Sequence, residues 1–184
     1  MNRALLVIDV QNEYFTGKLP VTYPVGSFDN ILKAVDAANR AKIPVILIRH
    51  GSPQPDATAF VKGSVGWEIR EEVLKKEHLY IIDKHLPGSF TDTNLEECLR
   101  TLGVDTVVIS GYMTQMCCDT TARQAVHLGL SAEFLSDATG TLDIANYAGK
   151  ITAADLHKAI LITQAMRFSR VMATNEWVAE ISLH

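Results

Sequence analysis

Two adjacent cysteines, Cys117 and Cys118, open a predicted helix just after the apolar run Val107-Val108-Ile109 and the turn residue Gly111. Helix phase separates them. At about 100° per residue, Cys118 falls in line with Ala122, Ala125 and Gly129, whereas Cys117 falls in line with Thr121 and Gln124. A small, apolar stripe assigns Cys118 to the core. Cys117 has a polar stripe and sits at a helix start, where unpaired N–H groups and the positive end of the dipole favour a thiolate. A thiol of reference pKa about 8.5 becomes a nucleophile at neutral pH in such a place.

The nucleophile needs a proton acceptor and a cation. Asp9 directly follows the apolar run Ala4–Ile8, and Lys84 closely follows Leu79–Ile82. Both runs read as strands of a parallel sheet, whose carboxyl ends gather at one rim and bind ligands there. Taken singly, Asp9 suits a turn cap and Lys84 a surface charge. Placed jointly at the strand ends with Cys117, they form a set suited to hydrolysis. Asp9 takes the thiol proton and returns it to a leaving amine. Lys84 holds Asp9 ionised and stabilises the thiolate, and N–H groups at the helix start bind an oxyanion.

The elements that must position these residues follow from periodicity. Strands are predicted at 4–8, 44–48, 79–82, 107–109, 130–135 and 170–174. Helices are predicted at 29–42 with Asp29 as cap, 67–76, 91–102 with Thr93 and Glu96 as a capping box, 114 onward, 152–166 and 177–183. The segment 52–66 carries prolines and glycines without a period and reads as a long loop that shapes the site. This alternation implies a three-layer α/β/α sandwich around a mainly parallel, Rossmann-like sheet of about six strands. No composition break or repeat divides residues 1–184, so one domain is expected.

Bulk properties exclude several classes. The 184 residues carry a net charge of −4, with both signs interspersed, so no electrostatic footprint for nucleic acid is present. No apolar stretch approaches the roughly 20 residues of a membrane span, and Met1–Val10 lacks the pattern of a signal peptide. Three cysteines, two of them adjacent, make no disulfide framework, which fits a reducing, cytoplasmic setting. The histidines show no metal-ligand spacing, so no metal and no cofactor are expected. His50 ends a strand and His85 adjoins Lys84. His78, His127, His157 and His184 read as surface. Nucleotide-binding glycine motifs and the Gly-x-Ser-x-Gly elbow are missing.

With these residues in view, the sequence resembles the isochorismatase-like cysteine hydrolases. Leu6-Val7-Ile8-Asp9-Val10-Gln11-Asn12-Glu13-Tyr14 is similar to the family's opening strand and its Asp-x-Gln-Asn-x-aromatic motif. Ile81-Ile82-Asp83-Lys84, with Gly88-Ser89-Phe90, resembles its lysine segment. Gly111-Tyr112-Met113-Thr114-Gln115-Met116-Cys117-Cys118 and Thr121-Ala122 fit its Gly-x-x-Thr-x-x-Cys-Val-x-x-Thr-Ala pattern, and Cys118 stands at the valine position. The resemblance implies Asp9, Lys84 and Cys117 as catalytic triad and a cis peptide between Tyr112 and Met113. It also implies an oxyanion hole from the N–H groups of Met113 and Cys117, and a homo-oligomer, dimer or tetramer.

Two departures direct the chemistry. Metal-dependent nicotinamidases carry Asp-x-His after the second strand, where this chain reads Arg49-His50-Gly51. Vinyl-ether hydrolases of the isochorismate type often lack the cysteine that Cys117 supplies. The reading is therefore a cofactor-independent hydrolase of a small amide or other C–N substrate, working through a thioester on Cys117. Gln11, Tyr14, His50, Trp67, Phe90 and Tyr112 are candidates to bind that small molecule. The alternatives are vinyl-ether hydrolysis by Asp9 and Lys84 without a covalent step, and a non-catalytic small-molecule binding protein.

Overall fold

A computed structural model describes residues 1–54 and 56–183; Pro55 of the long loop and His184 lie outside the described residues. The chain runs β1 (Arg3–Ile8), α1 (Ser27–Arg40), β2 (Val45–His50), α2 (Glu71–Leu74), β3 (Tyr80–Lys84), α3 (Leu95–Thr101) and β4 (Thr106–Tyr112). A π-turn (Thr114–Cys118) then leads into α4 (Asp119–His127) and β5 (Ser131–Gly140). The hairpin β6 (Ile144–Asn146) and β7 (Gly149–Ile151) follows, then α5 (Ala153–Thr163), β8 (Arg170–Met172) and α6 (Thr174–Ile181).

The six-stranded sheet has the order β3-β2-β1-β4-β5-β8, and all its pairings are parallel. Alternation along the inner strands separates two cores. Leu5, Val7, Val45, Leu47, Val108 and Leu135 point to α1 and α6, meeting Ile31, Val35, Ala38 and Trp177. Ala4, Leu6, Ile8, Ile46, Ile48, Val107, Ile109 and Phe134 point to α3 and α4, meeting Leu95, Leu99, Cys118, Ala122 and Ala125. A sheet covered on both faces needs such unbroken apolar strands, and the result is the three-layer sandwich. Among the described residues no helix is long and apolar enough to cross a membrane.

Several boundaries differ from the sequence reading. Helix α1 starts at Ser27 after Gly26, which adopts φ +82, so Asp29 lies in the first turn and does not cap it. The helix expected at 67–76 shrinks to Glu71–Leu74, because Ile69 bridges to Gln11 and the Arg70 N–H donates to Val10 O at 2.9 Å. The Thr93 hydroxyl donates to Ser89 O at 2.6 Å, and Asn94 is the residue before α3; the capping box does not form. The hairpin at 144–151 has no counterpart in the sequence reading.

Candidate active site

Sheet register alone brings three strand ends together. Ile8 sits opposite Ile48 on one side and Gly111 on the other, and His50 sits opposite Lys84. Asp9 therefore emerges between β2 and β4. Its N–H donates to Ile48 O at 2.9 Å, and its backbone turns into the left-handed region at φ 51, which is uncommon outside glycine. Gly111 makes this close approach possible. It adopts φ 112, and a Cβ there would lie 2.0 Å from Ile8 O.

The Lys84 ammonium sits at the centre, with its side chain fully buried. It lies 2.8 Å from Asp9 Oδ2 and donates to Leu86 O at 3.0 Å and to Cys117 Sγ at 3.3 Å. Leu86 O and Cys117 Sγ take two of the three ammonium protons, and the Asp9 contact is an ion pair. Burial pulls the Lys84 pKa down, but the charges of Asp9 and Cys117 outweigh it and leave the value raised. Lys84 thus stays protonated. Both Asp9 oxygens, Oδ1 and Oδ2, are buried with no hydrogen-bond partner among the described residues.

Cys117 is buried at 7% exposure and Cys118 at 0%. Burial, then the Asp9 charge, pushes the Cys117 thiol well above the ordinary range, with Lys84 opposing. This corrects the expectation of a preformed thiolate. The favourable helix end is outweighed by loss of water and by a carboxylate neighbour, so the resting group is a neutral thiol beside a base. Burial also pushes Cys118 well up, in keeping with a packed core thiol.

The stripe of Cys117 also has another meaning than solvent. Thr121 is buried, and its Oγ1 accepts the Ser89 N–H at 3.1 Å. Gln124 Nε2 donates to Thr91 Oγ1 at 2.7 Å. That polar stripe is the seam on which the loop after Lys84 docks, holding β3's end over Cys117. The segment carrying the thiol is wider than an α-helix: the Cys118 N–H donates to Met113 O at 3.2 Å, five residues back. The Tyr112–Met113 peptide before it is cis.

The remaining candidates divide. Tyr14 faces the site: its pKa is raised by burial first, then by Cys117 and Asp9. Its ring packs edge-on against Phe60 at 5.1 Å, which in turn meets the His50 ring at 5.3 Å. His50 Nδ1 and Trp67 Nε1 are buried without partners, and burial, then Lys84, lowers the His50 pKa. The Arg49 guanidinium stacks 3.6 Å over the Trp67 ring. Phe90 packs half-buried against the second core. Gln11 is fully engaged instead: Nε2 donates to His50 O at 2.8 Å and Trp67 O at 2.7 Å, and Oε1 accepts the His50 N–H. It ties the long loop to β1 and has no amide group left for a ligand. Tyr112 is a core residue, with its ring packed on Tyr14 and Phe15 and its hydroxyl 3.1 Å from Ser27 Oγ.

The sequence reading missed Phe60 and His157, and gave Thr114 only as a position of the motif. Phe60 is the one aromatic of the 52–66 loop, a signal that was available. His157 is buried at 4% exposure, against its reading as surface. Among the described residues no group of three His, Cys, Asp or Glu side chains could hold a metal ion.

Comparison with known proteins assigns this architecture. Residues 3–166 match the Isochorismatase domain family. The secreted isochorismatase effector Isc1 of Verticillium dahliae is 35% identical over 94% of this chain and 88% of its own length. Nicotinamidase 3 of Arabidopsis thaliana is 30% identical over 90% of this chain and 82% of its own. A crystal structure from Burkholderia xenovorans LB400 superposes with a TM-score of 0.95 at 40% identity, covering 98% of this chain and 88% of that one.

Proposed function

The chain belongs to the isochorismatase family of hydrolases, and from that premise we propose that it opens a small amide or other C–N bond through a thioester on Cys117. The observation that carries this reading is the buried contact set around one ammonium: Asp9 at 2.8 Å and Cys117 Sγ at 3.3 Å from Lys84 Nζ. A neutral thiol next to a carboxylate suits general-base activation at the moment of attack. Asp9 takes the proton as Sγ bonds to the carbonyl carbon. The N–H groups of Met113 and Cys117 face the developing oxyanion. Asp9 then protonates the leaving nitrogen as the C–N bond breaks. Water, deprotonated by Asp9, hydrolyses the thioester and restores the thiol. Lys84 keeps its proton throughout and balances the charge on Asp9.

Tyr14, Phe60 and His50 would form one wall of the substrate site, with Trp67 Nε1–H available to an acceptor on the substrate. A relative that is a nicotinamidase supports amide chemistry. The whole chain would act as one unit in the cytoplasm, where three unpaired cysteines are compatible with a reducing setting. A second reading, vinyl-ether hydrolysis without a covalent step, draws on the relative named an isochorismatase effector. Turnover of an amide panel and of isochorismate by wild type, Cys117→Ala and Cys118→Ala separates the two. Amide hydrolysis lost only in Cys117→Ala supports the thioester route. Isochorismate hydrolysis that survives Cys117→Ala, with no amide turnover by wild type, overturns it.

A further inference from the structure

His157 lies on α5, outside the three strand ends, yet it reaches the segment that carries the thiol. Its Nε2 is 2.9 Å from Ser136 O. A carbonyl only accepts, so the ring proton is on Nε2 and Nδ1 is an acceptor. Nδ1 is 2.8 Å from Thr114 Oγ1, so the Thr114 hydroxyl donates to it. Burial lowers the pKa of the ring, which keeps it neutral and this polarity fixed. Thr114 is fully buried and opens the π-turn, three residues before Cys117.

A second grip sits at the other end of the same turn. Gln164, fully buried in the π-helical continuation of α5 (Gln164–Phe168), donates from Nε2 to Asp119 Oδ1 at 2.7 Å. Its Oε1 accepts the Ser169 hydroxyl at 2.7 Å, which fixes the amide. Asp119 follows the cysteine pair. Side chains from one helix therefore hold residues 114 and 119, and Cys117 lies between them.

The turn needs holding. Its five-residue hydrogen bonding is rare and is found mostly as short bulges at functional sites. Relaxing to four-residue bonding would change the phase by one residue, about 100°. That rotation would carry Sγ away from Lys84 Nζ, now 3.3 Å distant. We propose that His157, with Gln164 as its counterpart, is a positioning residue for Cys117, acting through the Thr114 hydroxyl to hold the π-turn. The inference rests on the reading of Cys117 as the nucleophile.

Acylation by p-nitrophenyl acetate, followed as the burst of p-nitrophenolate, tests it, with thermal unfolding as a control for folding. His157→Gln retains a donor toward Ser136 O but loses the acceptor near Thr114; His157→Asn retains an acceptor at the Nδ1 position. The expected result is a burst rate constant lowered about tenfold in His157→Gln and in Thr114→Val, with KM within about twofold. His157→Asn should keep the rate within about threefold. The His157→Gln/Thr114→Val double variant should be no slower than the slower single, because both break one contact. Gln164→Leu should lower the burst with KM unchanged. Burst rates within twofold of wild type in His157→Gln and Thr114→Val overturn the proposal. So do multiplying losses in the double variant, or losses in Asn and Gln that are equal and follow the unfolding temperature. Cys117→Ala separates the layers. A burst that survives it removes the nucleophile assignment and this inference together, whereas a burst it abolishes but His157→Gln and Thr114→Val leave intact removes this inference alone.

Discussion

Replacing Lys84 by methionine keeps the length of the side chain and removes the charge that Asp9 faces. At 2.8 Å and an effective dielectric constant of 20, the attraction removed is about 6 kcal/mol before desolvation is counted. Removing one partner of a buried pair typically costs about 3–5 kcal/mol, because the other charge stays buried and uncompensated. In the variant the orphaned carboxylate has an escape, which is to take a proton. From a reference value of about 3.9, holding a carboxyl protonated at pH 7 costs about 4 kcal/mol, and each unit of lower pH reduces this by about 1.4 kcal/mol. The expected loss in Lys84→Met is therefore about 3–4 kcal/mol at pH 7, shrinking by about 1.4 kcal/mol per unit toward pH 5. Adding Asp9→Asn should restore most of it, since asparagine carries no charge and tolerates the φ of 51 at this position. Urea unfolding of wild type, Lys84→Met and the double variant at pH 7, 6 and 5 measures all of this. A loss below about 1 kcal/mol, or one that neither changes with pH nor recovers with Asp9→Asn, would refute the reasoning.

Two further outcomes follow from the geometry around the site. Gly111→Ala should cost well over the about 1–2 kcal/mol of the left-handed backbone alone and lower turnover, because its Cβ would meet Ile8 O at 2.0 Å in the residue pair that launches Asp9. Gly26→Ala, at φ 82 with open space around it, should cost only the left-handed penalty of about 1–2 kcal/mol; equal losses at the two sites in urea unfolding would contradict the close-approach argument. On the acid side, His50 and His157 both have lowered pKa values, so the unfolded chain binds protons near pH 6.5 that the folded chain does not. Their contribution is present above pH 6.5 and is lost as pH falls toward the folded values, by up to about 1.4 kcal/mol per unit for each. Unfolding free energies from pH 7.5 to 5 should show a shallower slope in His50→Gln and in His157→Asn than in wild type, and an unchanged slope in both would contradict it.

How much of this was legible in the sequence depended on whether an apolar run marks a position or only a direction. Asp9 and Lys84 were legible because buried parallel strands are unbroken runs, and the residues just past them must reach the same rim. Helix phase ranked Cys118 inward. It could not say what lies across from Cys117, since phase gives a direction and not a partner, and the partner is the docked loop at Ser89–Thr91. The thiol's ionisation was misread for the same reason: a helix start is visible in sequence, whereas burial beside Asp9 is a tertiary fact. Helix α5 shows the limit of apolar patterning. An apolar pattern would turn Leu156, Ala159, Ile160 and Ile162 inward, yet the buried positions are Ala153 and His157, while Ile162 is 59% exposed. A polar side chain points inward there because Thr114 and Ser136 O await it. The 67–76 segment kept only one turn of its helix, Glu71–Leu74, since Ile69 and Arg70 found backbone partners at Gln11 and Val10. Such pairings are set by the chain that arrives opposite, which no local pattern encodes.

The most direct test of the central claim is the mass of the intact protein, quenched in acid during turnover of an amide panel and mapped to a peptide. The account predicts an added acyl group on Cys117, absent in Cys117→Ala and retained in Cys118→Ala. Turnover that proceeds at the wild-type rate in Cys117→Ala, or an acyl group carried by Cys118, would contradict it.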